Sequence, residues 1–191
     1  SAAYREPRVV TTNYDDHLAE AAAAAGIDLL ARWDAPFLPQ GDDFSGLVHI
    51  HGSKEGDRRG VVLTDEDFGN AYLSNGWATR FLVPMFRRYT VLFVGYSLGD
   101  LIMRYLARGM SAETRCYALV SEDKAAGGDW ECLGVQPIGY PVRKRKDGNG
   151  DHSALVKALQ AWDRFARMRE QEEHQERIKA IIDAGPESLS I

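Results

Sequence analysis

What most constrains this chain is a repeated alternation, in which short runs rich in β-branched and aromatic residues are each followed by a stretch that reads as helix. RVVTT (8–12) leads into DDHLAEAAAAAG, and TVLFVG (90–95) leads into LGDLIMRYLARGM; between them GLVHIHG (46–52) is followed by TDEDFGNAYL and WATRFLVPMFRRY. Strands alternating with helices imply a parallel sheet, because each parallel connection must cross back over the sheet face. The spacing predicts an α/β fold, a Rossmann-like parallel sheet with helices on both faces. TVLFVG is almost wholly apolar, as a central strand buried on both sides should be. RCYALVS (115–121) reads as the next strand and GVQPIGYP as the last, at an edge, since Pro137 removes one ladder donor.

Local punctuation refines this picture. Asp15 is placed to cap the first helix and Gly26 to end it. In GLVHIHG, alternation puts Val48 and Ile50 on one face and His49 and His51 on the other. Pro84 is expected to interrupt the helix it sits in. After DGNGDHS a long polar helix spans roughly 153–183. Its first half repeats Leu155, Leu159, Trp162, Phe165 and Met168 at spacings of three and four, the pattern of one buried face. The expected division is a Rossmann-like domain over 4–152 and, over 153–191, a helix leading toward a further region.

Composition narrows the function classes. At 191 residues and 45% hydrophobic, the chain can build one sizeable core. A net charge of -5 does not favour nucleic acid or anionic membranes, and the basic run at 143–146 reads as a solvated loop. No apolar run approaches the ~20 residues of a membrane span. Cys116 and Cys132 are too few and too far apart for a metal knuckle, and no disulfide framework is indicated, which favours a cytoplasmic protein.

Three segments fall where strands hand over to turns or helices, the edge at which open α/β sheets bind ligands. They are TTNYD (11–15), HIHGS (49–53) and GYSLGD (95–100). Each has a structural reading: Asn13 and Asp15 as a helix cap, and strand histidines, His49 among them, as satisfied core groups. His17, His152 and His174 read the same way. The third segment also fits the G-x-S-x-G turn of a serine hydrolase, with Ser97 as nucleophile and His152 as base. Only 55 residues separate those two, too few for the further strands and crossovers of that fold.

Taken together and in this order, the segments resemble the sirtuin family, in particular the zinc-free sirtuin-like NAD-hydrolysing domains of bacterial anti-phage defence proteins. Thr11-Thr12-Asn13-Tyr14-Asp15 stands where the family has T-Q-N-I-D, His51-Gly52 where it has H-G, and Gly95-Tyr96-Ser97 where it has G-T-S. The resemblance implies that Asn13 orients the nicotinamide ribose and a water, that Asp15 contacts the carboxamide, and that His51 is the general base. Thr11, Thr12, Gly52, Gly95, Tyr96, Ser97 and Leu98 would then line the cofactor site, with Ser121 at the adenosine ribose. The chemistry agrees: breaking the nicotinamide-ribose bond builds positive charge on the sugar and needs a positioning amide and a base near neutrality.

The match is incomplete. The four-cysteine zinc module that follows H-G in deacylating sirtuins has no counterpart between Ser53 and Tyr89, so neither zinc nor deacylation is expected. The family's first βα unit, with its glycine-rich phosphate turn, should precede Tyr4. NAD is therefore the expected substrate of a fuller protein, with residues 1–191 alone nearly inactive and partnered by further copies or further domains. A non-catalytic scaffold or nucleotide-binding module of the same fold is the alternative.

Overall fold

The computed structural model describes residues 7–95 apart from 28 and 30, and residues 115–184 apart from 128, 129, 131, 132 and 147. The helix expected after Gly99, and the turn beyond Gly95, lie outside those residues. The fold is α/β, built on parallel strands with helices between them and a long final helix. The chain divides into two compact units, residues 1–118 with 129–137, and residues 119–128 with 138–191.

In the first unit a parallel sheet has the order β1-β3-β2, formed by β1 (Arg8–Thr11), β2 (Arg32–Asp34) and β3 (Gly46–His49). Helix α1 (His17–Ala24) follows β1, and Gly26, at φ 67°, turns the chain out of it. The register aligns Thr11, His49 and Asp34 across the carboxyl ends of the three strands. All four residues of β3 are buried, so β3 is the strand covered on both faces. That role was expected of TVLFVG. Instead β4 (Val91–Val94) alternates between half-buried and exposed, with Leu92 39% and Val94 48% exposed, and it ends the described sheet of order β4-β5-β6. An apolar run alone does not distinguish a central strand from a terminal one; neighbours on both sides do.

The remaining strands of that sheet are β5 (Cys116–Ser121) and β6 (Val135–Tyr140), and β6 lies at the edge, as Pro137 requires. Between β3 and β4 come α2 (Asp65–Gly69), a one-turn π-helix over Asn70–Ser74, and α3 (Trp77–Arg88). Ala78, Phe81, Leu82, Met85 and Phe86 recur at helical spacing and bury one face of α3. Phe81 meets Phe44 edge-on at 5.2 Å, and a Cβ on Gly41 would stand 1.8 Å from the Phe81 carbonyl, so loop and helix pack backbone to backbone. The helix runs through Pro84. One missing amide bond is outweighed by the buried residues on both sides of it.

The second unit contains α4 (Glu122–Gly127), the short antiparallel pair β7 (Arg143–Lys144) and β8 (Gly150–Asp151), and α5 (Ser153–Ala184). The basic run is exposed, as a solvated segment should be. Helix α5 differs from expectation. Leu155 and Leu159 are half-buried, but Trp162, Phe165 and Met168 are 47%, 65% and 59% exposed, so the buried face fades after the second turn. No helix among the described residues is long and apolar enough to cross a membrane.

Phe81 is 2% exposed at the centre of the first unit. Phe81→Ala is expected to lower stability by about 3–5 kcal/mol through lost burial and the cavity left behind, measured by urea unfolding followed by circular dichroism.

Candidate functional site

The first two motif segments meet at the carboxyl ends of β1 and β3. After Thr11 the chain leaves the sheet, and the Asn13 amide turns back to donate to Thr11 Oγ1 at 3.1 Å. The Ile50 amide donates to the Thr11 carbonyl at 3.0 Å, extending the pairing by one residue. His49 Nδ1 lies 3.2 Å from the Asn13 carbonyl. A carbonyl only accepts, so Nδ1 carries the proton. His49 is fully buried, and its Nε2 has no hydrogen-bond partner among the described residues. The structural role expected of His49 is therefore specific: it pins the TTNYD loop to the central strand.

A second set of bonds joins these loops to the segment before α2. The Lys54 amide donates to the Tyr14 carbonyl at 3.0 Å, the Val62 amide donates to the His51 carbonyl at 3.1 Å, and the Tyr14 hydroxyl donates to the Val62 carbonyl. Burial raises the Tyr14 phenol above its ordinary pKa, with the nearby Asp67 carboxylate adding to the effect. Gly52 sits at φ 79°, and a Cβ there would come within 2.9 Å of the Gly60 carbonyl. Gly60 in turn faces Ala35, whose carbonyl oxygen would be 1.7 Å from a Cβ at Gly60. Glycines at both positions let the backbones after β2, after β3 and before α2 cross in contact.

His51 is 4% exposed, and its Nε2 lies 2.7 Å from the Tyr72 hydroxyl, itself on a residue 3% exposed. The imidazole meets Phe68 edge-on at 5.1 Å, and Phe68 stacks on Tyr72 at 5.9 Å with 13° between the rings. This aromatic cover is aimed by local structure. Thr64 and Asp67 form a capping box at the start of α2, and the π-turn after it, closed by the Asn75 amide on the Asn70 carbonyl, carries Tyr72. Neither Phe68 nor Tyr72 was singled out from sequence; a single π-turn is too short to show a periodicity of its own.

Arg32 was missed as well. From β2 it reaches the loops after β1 and after β3, at Asp16 Oδ1 (2.6 Å) and Ser53 Oγ (3.0 Å), and it lies 3.4 Å from Asp34 Oδ2 of its own strand. Its strand is only three residues long, too short to stand out, although Arg32 and Asp34 alternate as strand neighbours on one face do.

The expected site residues are thus partly assembled. Thr11, Asn13, His49, His51 and Gly52 are tied together, with Asn13 exposed and Thr12 half-buried beside it. Asp15 accepts from the His17 amide at 3.2 Å, but the N-cap position of α1 falls to Asp16, whose side chain makes no capping bond, rather than to Asp15 as expected. Gly95 ends β4 with φ 68° and open space where a Cβ would be. Ser121 is the last residue of β5. Tyr96, Ser97 and Leu98 lie outside the described residues. His152, the base required by the hydrolase reading, is engaged by the Tyr140 hydroxyl at 2.9 Å on Nδ1. Among the described residues no group of three or more His, Cys, Asp or Glu is placed to hold a metal.

Comparison with known proteins agrees with these motifs. A family model described as the SIR2-like domain matches residues 7–138. The uncharacterized protein y4cA of Sinorhizobium fredii (strain NBRC 101917 / NGR234) is 31% identical over 205 residues, covering 95% of this chain and 16% of that protein. The chain spans about a sixth of the length of that curated relative.

Hydrogen bonds from the Thr64 amide, the Thr64 hydroxyl and the Leu63 amide hold the Asp67 carboxyl below its ordinary pKa of 3.8. A carboxylate with a lowered folded-state pKa contributes stability above its unfolded value and loses it as pH falls through the folded one. The capping box should therefore weaken below about pH 3.8. The readout is hydrogen exchange at the Phe68 amide, which donates to the Thr64 carbonyl at 3.0 Å. Its protection, corrected for intrinsic rate, should drop over that range in the wild type and be low and nearly pH-independent in Asp67→Asn.

Proposed function

Because the chain belongs to the SIR2-like domain family, we propose that it binds NAD and, in a fuller protein, hydrolyses it to nicotinamide and ADP-ribose. The observation that carries this reading is the cross-tied pair of loops at the carboxyl ends of adjacent parallel strands, one presenting an exposed Asn13 and the other His51. Open α/β sheets bind nucleotides along that edge. His49 Nε2, buried and without a hydrogen-bond partner among the described residues, adds a polar group at the same edge that a donor would satisfy.

In the proposed reaction the bond between the nicotinamide nitrogen and the ribose breaks, and its electron pair neutralises the pyridinium charge. The ribose carbon, left electron-deficient, takes up water, and the water's proton passes to a base. Asn13 would orient the ribose and the water, Asp15 would hold the carboxamide, and His51 would be that base, receiving the water's proton by way of a ribose hydroxyl that gives one proton to His51 as it takes one from the water. Gly95 and Ser97 would clasp ribose or phosphate, and the glycine-rich phosphate turn would come from outside residues 1–191. No zinc takes part in this scheme. Destruction of a cell's NAD is an output suited to bacterial anti-phage defence, and we place the protein there, in the cytoplasm.

The test is nicotinamide release from NAD, followed by chromatography. His51→Ala and Asn13→Ala should each reduce turnover of the complete protein by about 100-fold or more, the effect of losing a positioned acid-base or orienting group, while Ser97→Ala acts mainly on affinity. Residues 1–191 alone should turn over little NAD. NAD binding without any hydrolysis by the complete protein would mean a nucleotide-binding module, and labelling of Ser97 by a fluorophosphonate would mean a serine hydrolase.

A further inference from the structure

We propose that Tyr72 caps His51 as a built-in inhibitory contact, its phenol hydroxyl holding the place at Nε2 that a ribose hydroxyl of the substrate takes during turnover; this rests on the NAD-hydrolysing role proposed for His51.

A base must have its lone pair available to the proton it accepts. Here Nε2 is 2.7 Å from a hydroxyl, inside normal hydrogen-bond range, and both side chains are almost fully buried. A phenol and a sugar hydroxyl offer the same donor and acceptor functions, so the two compete for one position. The phenol is well held: Phe68 stacks on its ring, and the Thr79 hydroxyl donates to the Tyr72 carbonyl at 2.7 Å.

The segment that carries the cap is nevertheless a surface one. Leu63 and Leu73, on either side of α2 and at the π-turn, are 69% and 76% exposed, and Thr64, Asp65, Glu66, Ser74 and Asn75 are exposed with them. Helix α2 has only five residues, and the segment ends at Gly76, where φ is 61°. Short helices with exposed hydrogen bonds open at low free-energy cost compared with the core. Displacement of residues 63–75 would remove Phe68 and Tyr72 together and uncover the imidazole, leaving β3 and the His49 anchor in place.

Tyr72→Phe tests this, because it keeps the ring and removes only the hydroxyl. In the complete protein the KM and Kd for NAD should both fall about five- to tenfold, the worth of one intramolecular hydrogen bond, with kcat unchanged or raised. Thermal unfolding measured in parallel identifies a merely structural effect, which would shift Tm and leave KM alone; that result overturns the cap. A fall in kcat at unchanged KM also overturns it, since Tyr72 would then be assisting His51. Should the wild-type protein neither bind nor hydrolyse NAD, the enzymatic reading fails by itself. The cap is then judged by carbethoxylation of His51 with diethyl pyrocarbonate, located by peptide mass spectrometry. Tyr72→Phe should react several-fold faster than wild type at His51 and equally at exposed His17, and equal rates at His51 would overturn the proposal.

Discussion

The hydrogen bond from His49 Nδ1 to the Asn13 carbonyl is the contact on which the candidate site depends. It joins the middle strand of a parallel sheet to the loop leaving its neighbour, and it does so in a fully buried position where water does not compete. Because that carbonyl is fixed, the Asn13 side chain projects from a defined backbone, and the adjoining Tyr14 can reach the Val62 carbonyl. The Val62 amide in turn holds the His51 carbonyl. One imidazole is thus structural so that the other, two residues on, can be placed. A polar group in the buried strand, unfavourable for packing alone, is retained because it positions a loop.

Much of this was legible in the sequence, for identifiable reasons. The strands at 8–11, 46–49 and 116–121 announce themselves by β-branched runs, and Gly26 and Pro137 act where local stereochemistry says they must. Thr11, Asn13, His51 and Gly52 could be grouped as ordered motifs, and their two loops do meet. What sequence reading missed depends on partners distant in the chain. Whether Val91–Val94 is central depends on its flanking strands, and whether Trp162 and Phe165 are covered depends on what lies opposite α5. Arg32 binds loops 16 and 21 residues away, a geometry no local pattern encodes. Tyr72 is placed by a π-turn, which has no sequence periodicity of its own.

The two histidines show how unlike environments arise from one H-x-H pattern. Strand alternation would place them on the same face, yet the strand ends at His49 and the chain turns at Ile50, so His51 enters a different pocket. His49 meets a backbone carbonyl, while His51 meets the Tyr72 phenol and, edge-on, the Phe68 ring. A carbonyl dictates the tautomer of the ring that faces it; a phenol does not, since it can donate or accept. The anchoring histidine is therefore held to one tautomer by a backbone carbonyl, while the contact of the candidate base with a hydroxyl is compatible with either.

The contact of Gly52 with Gly60, and of Gly60 with Ala35, has a consequence for how such a site can change over evolutionary time. Where backbones touch with no side chain between them, substitution offers no intermediate grades: any larger residue forces the crossing apart. The loops can therefore lose their geometry in one step but cannot be adjusted there by degrees. Gradual divergence is open to the exposed side chains between the glycines, Lys54, Glu55, Arg58 and Arg59, since the tie this stretch makes to the site, the Lys54 amide on the Tyr14 carbonyl, is made by backbone. Proteins with the same chemical core could thus present very different charge at its rim.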